Sequence, residues 1–251
     1  MPDAHTTLAI RYAVRSDVGQ LRERNEDSAY AGARLLAVAD GLGGHAGGEV
    51  ASAAVIEALR PLDAEPLDAE LPASELLSAL EHAVYQANES LQRIAASDPS
   101  LQGLGSTLTA MLWSGSQLAL VHIGDSRAYL LRDGKLSQIT HDHTLVQALV
   151  DEGRLTEDEA ASHPQRSLLL RAIDGKQSEP DLELHDAAAG DRYLLCSDGL
   201  YTVVAADKLR EVMSTVADRE QVVGQLVDLA NAGGGPDNIS CVVADVVELP
   251  G

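Results

Sequence analysis

The alternation of apolar and polar positions predicts strands along most of the chain. Residues 8–15 alternate loosely, as a half-buried strand does. Asp133-Gly134 lies between two apolar runs and indicates a β-hairpin turn. The predicted strands after the first cover residues 28–31, 34–39, 106–113, 117–123, 127–131, 135–140, 182–184, 192–196 and 238–247.

Apolar residues at helical spacing predict four longer helices between these strands. They cover residues 47–59, about 74–96, 207–216 and 219–232. Thr156 and Glu159 form a capping-box pattern that opens a further short helix, and Asp218 with Gln221 opens the last long one. Residues 233–236, Gly-Gly-Gly-Pro, end that helix. The proline-rich segment 60–72 is predicted to be a linker loop.

The order of these elements favours an α+β fold. Strands are followed by two helices, more strands, two helices and a final strand, without the regular alternation of a parallel doubly wound sheet. We expect a four-layer αββα sandwich, in which two antiparallel β-sheets pack together and helix pairs cover them. No internal repeat or low-complexity tract interrupts the pattern, so residues 1–251 are expected to form one domain.

Composition excludes several classes of partner. The 251 residues carry a net charge of −21, which argues against nucleic acid and anionic membranes as ligands. We find no apolar stretch of membrane-spanning length and no signal pattern, and we expect a cytoplasmic protein or the cytoplasmic catalytic domain of a membrane-anchored one. Cys196 and Cys241 lie in apolar runs and are expected to be buried thiols. Neither begins a Cys-x5-Arg loop, so cysteine-based phosphoryl chemistry is unsupported.

Four aspartates carry the strongest indication of chemistry. Asp40, Asp125, Asp198 and Asp237 each stand beside a small or polar residue next to an apolar run. A single pair of this kind is most often a turn. If the strands are neighbours, however, their ends place several carboxylates in one small volume, where they repel and take up protons. A hard divalent cation, Mg²⁺ or Mn²⁺, would remove that conflict.

Two further segments bear on ligand binding. Arg22 and Arg24, two residues apart, would point the same way in an extended segment, and a guanidinium matches two phosphate oxygens. The alternative is a charged surface cluster. The glycine-rich segment 40–45 has neither the P-loop nor the dinucleotide-binding pattern. Its glycines would instead let the backbone approach a ligand, so that a carbonyl such as that of Gly41 can reach a metal.

Taken in order, the motifs resemble those of one family, the metal-dependent protein phosphatases of type 2C. Each motif is weak alone, but six in this order are specific. The chain is most similar to the catalytic domains of bacterial serine/threonine phosphatases that oppose receptor-like serine/threonine kinases. The motifs are R-x-x-N-E-D at 22–27, D-G-x-G-G at 40–44, G-S-T at 105–107, G-D-S-R at 124–127, S-D-G at 197–199 and D-N at 237–238.

The resemblance implies a core site with two ions, Mn²⁺ or Mg²⁺. Asp40 would bridge both ions and the Gly41 carbonyl would bind one of them. Asp198 and Asp237 would complete the pair. Asp125 together with Asp198 would hold a third, weaker ion, as in bacterial relatives.

The resemblance also assigns residues around the ions. Arg22 would bind the substrate phosphate. Glu26 and Asp27 would orient metal-bound waters, and Asn238 would support the site from the same outer layer. A flap at about 141–172 would lie beside the site, which fits the polar, strand-free pattern there.

Some assignments stay open at this point. His163 and Arg166 in the flap could contact substrate, with surface residues as the alternative. Many eukaryotic relatives have a histidine directly after Asp-Gly as a candidate general acid, whereas this chain has Leu42. The leaving group would then be protonated by a metal-bound water or another group, His45 being a weak candidate.

The expected function is metal-dependent hydrolysis of phosphoserine and phosphothreonine in proteins. A metal-activated water would attack phosphorus in line, without a covalent phospho-enzyme. Serine/threonine kinases and their targets are the expected substrates, and a monomer is the expected state. The alternatives are a non-catalytic phosphoprotein-binding regulatory module of the same fold, and hydrolysis of small phosphate esters or nucleotides.

Overall fold

The computed structural model describes residues 8–43, 47–64, 72–176 and 178–249, which form strands β1–β11 and helices α1–α7. The strands are β1 Leu8–Asp17, β2 Asp27–Ala31, β3 Leu35–Leu42, β4 Gly105–Ser106, β5 Leu108–Ser114, β6 Gln117–Ile123, β7 Arg127–Arg132, β8 Lys135–Gln138, β9 Asp181–Asp186, β10 Arg192–Cys196 and β11 Ile239–Glu248. The helices are α1 Gly47–Leu59, α2 Ala73–Ser97, α3 Leu145–Asp151, α4 Glu157–Ala161, α5 Asp198–Tyr201, α6 Ala206–Thr215 and α7 Arg219–Ala232.

The strands form two antiparallel sheets. The first sheet has the order β1-β11-β10-β7-β8, and the second has the order β2-β3-β5-β6-β9 with β4 paired to β3. Strands that are distant in sequence therefore become neighbours, since β1 pairs with β11 along its whole length. The predicted antiparallel sandwich is confirmed.

Alternation along the strands divides the interior into three apolar layers. Leu36 and Val38 of β3 face the other sheet, in a layer that includes Trp113 of β5 and Leu195 of β10. Leu35 and Ala37 of the same strand face the opposite way. That side of the second sheet is covered by α1 and α2, and the outer side of the first sheet is covered by α6 and α7. The result is the expected αββα order of layers.

The helices that cover the sheets begin and end close to the predicted positions. α1 and α7 have the predicted bounds, and the apolar stripe of α2 is buried. Asp218 caps α7 by accepting the Gln221 N–H at 2.9 Å. Thr156 and Glu159 form the predicted reciprocal capping box. Among the described residues, no helix combines the length and apolar character needed to cross a membrane.

Four predictions about local structure need correction. β3 does not end at Ala39 but continues through Leu42, because Gly41 and Leu42 pair with β4. The predicted strand 106–113 is interrupted at Thr107. The segment 60–72 begins with a 3-10 helix, Arg60–Asp63, and residues 65–71 lie outside the described residues. Asp198 begins a short helix instead of a loop.

The layer between the sheets predicts a large effect of truncation. Leu195→Ala removes a fully buried side chain from this layer, so we expect the free energy of unfolding to fall by about 2–5 kcal/mol. Leu170→Ala makes the same change at a side chain that is 55% exposed, and we expect a change within about 0.5 kcal/mol. Urea unfolding with a chelator present measures both. Equal losses in the two variants would contradict this account of the core.

Candidate metal centre

The four predicted aspartates gather where corresponding ends of the two sheets meet. Asp40 lies inside β3, and Asp125 follows β6 in the same sheet. Asp198 opens α5 directly after β10, and Asp237 precedes β11 in the other sheet. Burial raises the pKa of Asp40 well above its usual range. Four carboxylates raise that pKa further, those of Asp27, Asp198, Asp125 and Asp237.

The same repulsion is felt by the neighbours of Asp40. The pKa of Asp125 is raised to about 8, chiefly by burial and next by the charge of Asp198. Burial also raises the pKa of Asp198 to about 6, with Asp237 as the next cause. A buried set of oxygen ligands that disfavour one another's charge fits a hard divalent cation. The donor chemistry predicted from the sequence is therefore present at one place.

Asp237 is engaged by other groups as well. Arg22 donates to Asp237 Oδ2 at 2.7 Å, and the Asn238 N–H donates to Oδ1 at 2.9 Å. Within the described residues, no three His, Cys, Asp or Glu side chains are arranged so that they could hold one ion together. The predicted trio of Asp40, Asp198 and Asp237 is thus close enough to interact but is not a closed coordination sphere. Asp237 is instead paired with Arg22.

The backbone around Asp40 is fixed by the G-S-T segment. The Asp40 N–H donates to Thr107 Oγ1 at 2.9 Å, and the Thr107 N–H donates to the Asp40 carbonyl at 2.9 Å. Ser106 Oγ donates to the same carbonyl at 3.0 Å. The G-S-T motif at 105–107 was visible in the sequence, but its role was not. Its role in the structure is to hold Asp40 in a strand although the Asp-Gly pair favours a turn.

Gly41 and Gly48 leave room for two oxygens beside the first turn of α1. A β-carbon on Gly48 would lie 2.6 Å from Glu26 Oε2 and 2.8 Å from the Gly41 carbonyl oxygen. These two oxygens therefore border the same small space. A β-carbon on Gly41 would lie 2.1 Å from the Gly48 carbonyl oxygen, so only glycine fits there. The predicted Gly41 carbonyl and Glu26 are thus brought together, whereas Gly44 and His45 lie outside the described residues.

Asn238 fixes the loop that carries Arg22 and Glu26. Its Oδ1 accepts the Glu26 N–H at 2.8 Å, and its Nδ2 donates to the carbonyls of Val18 and Arg24 at 2.9 Å each. The extended arrangement of two parallel arginines is not observed, because the chain bends at residues 23–24. Arg22 alone reaches an aspartate of the site.

Asp27 of β2 is the direct cross-strand partner of Asp40 in β3. Ser197 Oγ donates to Asp27 Oδ2 at 2.7 Å, and burial raises the pKa of Asp27 to about 7. Asp27 Oδ1 has no hydrogen-bond partner in the described part of the chain. Ser197 Oγ also accepts the Ser240 N–H at 3.0 Å, so this hydroxyl links β2 to the other sheet.

Asp125 borders a cleft between the site and the predicted flap. The cleft has a volume of about 400 Å³, and its lining includes Asp125, Asp198 and the flap residue Arg166. His163 does not line this cleft, and its Nδ1 accepts the Gln165 N–H at 3.1 Å. The structure therefore brings Arg166 to the site and leaves His163 away from the cleft.

Sequence reasoning missed the residues that support this cleft. Tyr201 donates its hydroxyl to the Asp125 carbonyl at 3.0 Å. The Arg127 guanidinium stacks on the Tyr201 ring at 3.7 Å and binds both oxygens of Asp142. Tyr201 could have been found as an aromatic residue one helical turn after Asp198. Asp142 carried no signal of its own, because it lies between β8 and α3 and its partner Arg127 lies in β7.

Comparison with known proteins gives consistent matches. A family model described as protein phosphatase 2C matches residues 22–231. The serine/threonine protein phosphatase PstP of Mycobacterium tuberculosis is 54% identical over 245 residues, 98% of this chain and 46% of that protein. The chain thus spans about half the length of this relative. The serine/threonine phosphatase stp of Listeria monocytogenes is 34% identical over 238 residues, 92% of this chain and 94% of that protein.

Solved structures agree with the sequence matches. The crystal structure of the M. tuberculosis phosphatase PstP/Ppp has a TM-score of 0.90 at 54% identity, covering 96% of this chain and 100% of that one. A structure described as the catalytic domain of PstP in complex with 2 manganese ions has a TM-score of 0.89 at 52% identity, with the same coverage. Likeness at this level extends across nearly the whole chain.

The Ser197 hydroxyl predicts a measurable contribution to stability. Ser197→Ala removes a buried donor to Asp27 and a buried acceptor from Ser240, so we expect the free energy of unfolding to fall by about 1–3 kcal/mol. Ser214→Ala, on the exposed face of α6, should change it by no more than about 0.5 kcal/mol. Chemical denaturation with a chelator present tests both variants. A Ser197→Ala protein as stable as the wild type would show that this hydroxyl is dispensable.

Proposed function

The chain belongs to the protein phosphatase 2C family, and from that premise we propose that it hydrolyses phosphoserine and phosphothreonine in proteins with divalent metal ions. The observation that carries the proposal is the buried group of mutually repelling aspartates beside an exposed arginine. Relatives over nearly the whole chain are named serine/threonine phosphatases, which supports the same activity.

We assign the cation ligands that the family resemblance implies. Asp40 would hold both ions, the Gly41 carbonyl would bind one of them, and Asp198 with Asp237 would complete the ligand set. Two ions supply an activated water and neutralise charge during in-line displacement at phosphorus. Mn²⁺ is supported by the manganese-bound PstP structure, and Mg²⁺ suits the same oxygen ligands. Asp125 with Asp198 would hold a third ion.

The surrounding residues then have distinct tasks. Glu26 shares the space beside the Gly41 carbonyl, which supports a role in orienting water there. Asp27 stands behind Asp40, and Asn238 holds the Glu26 backbone. Leu42 carries no proton to donate, so protonation of the leaving group falls to another group.

Arg22 links phosphate binding to cation binding. Its guanidinium is half exposed and paired with Asp237, so a phosphate that takes over the guanidinium would release that carboxylate. The released Asp237 can then turn toward a cation. In this proposal substrate and cation favour each other's binding, because each removes one partner of the same ion pair.

The proposal extends to the whole catalytic unit. We infer that residues 1–251 act as one phosphatase domain in the cytoplasm, as a monomer, with residues 141–172 as the flap. Arg166 lines the cleft beside Asp198 and is the flap residue best placed to contact a substrate. Phosphorylated serine/threonine kinases and their targets are the proposed substrates. The alternative of a non-catalytic binding module has less support, because every predicted ligand position holds its aspartate.

Removing one ligand charge separates an enzyme from a binding module. Asp40→Asn and Asp237→Asn should each lower kcat/KM on a phosphothreonine peptide by about a hundredfold or more, since even outer-layer changes cost 10–100-fold. Asp228→Asn, on the exposed face of α7, is the matched control and should keep the wild-type kcat/KM.

The wild type should also gain thermal stability with Mn²⁺, and Asp40→Asn should gain less. A wild type that binds Mn²⁺ but hydrolyses neither this peptide nor an aryl phosphate would refute the proposed activity.

The Arg22 proposal predicts an effect on substrate affinity. Arg22→Lys keeps the positive charge but loses the two-pronged contact, so we expect KM for a phosphopeptide to rise about tenfold with a smaller change in kcat. Arg24→Lys is the matched control, because Arg24 keeps its charge in this variant and is hydrogen-bonded to the site through its backbone carbonyl. Steady-state kinetics at saturating Mn²⁺ measures both. An unchanged KM in Arg22→Lys would mean that another group binds the phosphate.

A further inference from the structure

The turn that carries Asp125 is held from several directions. Gly124 has a φ of +106°, and a β-carbon there would lie 2.6 Å from Thr107 Cβ. Thr107 Oγ1 contacts Ser126 Oγ at 2.8 Å, and Thr109 Oγ1 donates to the Ser126 carbonyl at 2.6 Å. Thr107 lies between β4 and β5 and Thr109 lies in β5, so this part of the second sheet holds Gly124 before Asp125 and Ser126 after it.

The side before Asp125 is also held by a flap residue, His143. The His143 N–H donates to the Gly124 carbonyl at 2.8 Å, and the Gly124 N–H donates to His143 Nδ1 at 3.1 Å. The His143 side chain is 4% exposed. The carbonyl of His143 in turn accepts the Leu170 N–H at 2.8 Å, which ties the two ends of the flap together. One residue therefore connects the flap to the Asp125 turn through both backbone and ring.

The ring contacts of His143 favour one tautomer. Two groups that can only donate face the ring: the Gly124 N–H lies 3.1 Å from Nδ1, and Arg171 Nη1 lies 3.2 Å from Nε2. Arg171 Nη1 has Asp181 Oδ1 as an acceptor at 2.8 Å, so we assign Nδ1 as the acceptor of the buried Gly124 N–H and place the ring proton on Nε2. Nε2 lies 3.0 Å from Asp181 Oδ2, which accepts that proton. Arg171 binds Asp181 Oδ1 at 2.8 Å and holds this carboxylate in place. Burial also lowers the pKa of His143, which favours the neutral ring that the contact requires.

We propose that His143 is a positioning residue, which holds the Gly124–Asp125 turn in the geometry that binds a cation and makes that binding depend on the flap. Asp181 acts through His143 by selecting the tautomer whose Nδ1 can accept. This inference rests on the proposed role of Asp125 as a cation ligand. It adds a contribution from a residue that the motif order did not single out.

Two substitutions at His143 test the contacts of the two ring nitrogens one at a time. His143→Asn keeps an oxygen near the Nδ1 position, where it can accept from Gly124. His143→Gln places its amide near the Nε2 position, so it keeps the Asp181 contact and leaves the buried Gly124 N–H without its acceptor. Asp181→Ala, at a side chain 40% exposed, removes the tautomer-selecting partner. His141→Gln is the control, an exposed flap histidine paired with Asp151.

Mn²⁺ titration followed by the electron paramagnetic resonance of free Mn²⁺ is the measurement. The difference between wild type and Asp125→Asn defines the ion that depends on Asp125. We expect His143→Gln to weaken that ion about tenfold, with tighter ions unchanged. Asp181→Ala should weaken it in the same direction. His143→Asn should bind that ion with an affinity within about twofold of the wild-type value. His141→Gln should bind it as the wild type does.

Three results would overturn the inference. The first is that His143→Gln binds Mn²⁺ as tightly as the wild type. The second is that His143→Asn binds the Asp125-dependent ion as weakly as His143→Gln does. The third is that Asp125→Asn and the wild type give the same Mn²⁺ isotherm. If His143→Gln does not fold, the surface variant Asp181→Ala decides alone, and a wild-type isotherm there counts against the inference. Peptide hydrolysis is measured separately, so a wild type that binds Mn²⁺ without hydrolysis would contradict the proposed activity and leave this test intact.

Discussion

Repulsion among buried carboxylates is the constraint on which the site depends. Asp27, Asp40, Asp125 and Asp198 lie close enough to raise one another's pKa, on strands and turns from both sheets. Bringing such a group together costs free energy, which the rest of the fold must offset. The sandwich supplies that stabilisation, because apolar layers lie between the sheets and beneath both helix pairs. The core therefore holds in place the charges that a cation would bring together.

The hydrogen bonds around the site divide it into a fixed part and an adjustable part. Asp40 and Asp27 are fixed, since Thr107 binds the Asp40 backbone and Ser197 binds the Asp27 carboxylate. Asp237 is adjustable, because an exposed arginine holds one of its oxygens. An exposed ion pair contributes little to stability and can exchange partners at low cost. The aspartate that the proposal requires to move is thus held by an exposed ion pair.

Much of the fold followed from local pattern, whereas the contacts of the site did not. Residues 117–123 and 192–196 were predicted with their observed bounds, because buried strands are continuous apolar runs. Asp40 was wrongly placed after its strand, since pairing with β4 overrides the turn preference of Asp-Gly. The links from Ser197 to Asp27 and from His143 to Gly124 join distant segments, and no local pattern encodes them. The motif order could name ligands but not what holds them.

The charges of the site also bear on how a phosphate group can bind there. A phosphate group approaching this site meets the clustered carboxylates, within a chain whose net charge is −21. Arg22 and Arg166 provide single positive charges near the cleft, and Arg22 is already paired with Asp237. In a low-dielectric site, ionised carboxylates would repel a phosphate more strongly than one arginine attracts it, whereas protonated carboxyls would leave no charge to hold a cation. In the proposed function, divalent ions would balance the ionised carboxylates, so we expect the affinity for substrate to follow cation occupancy.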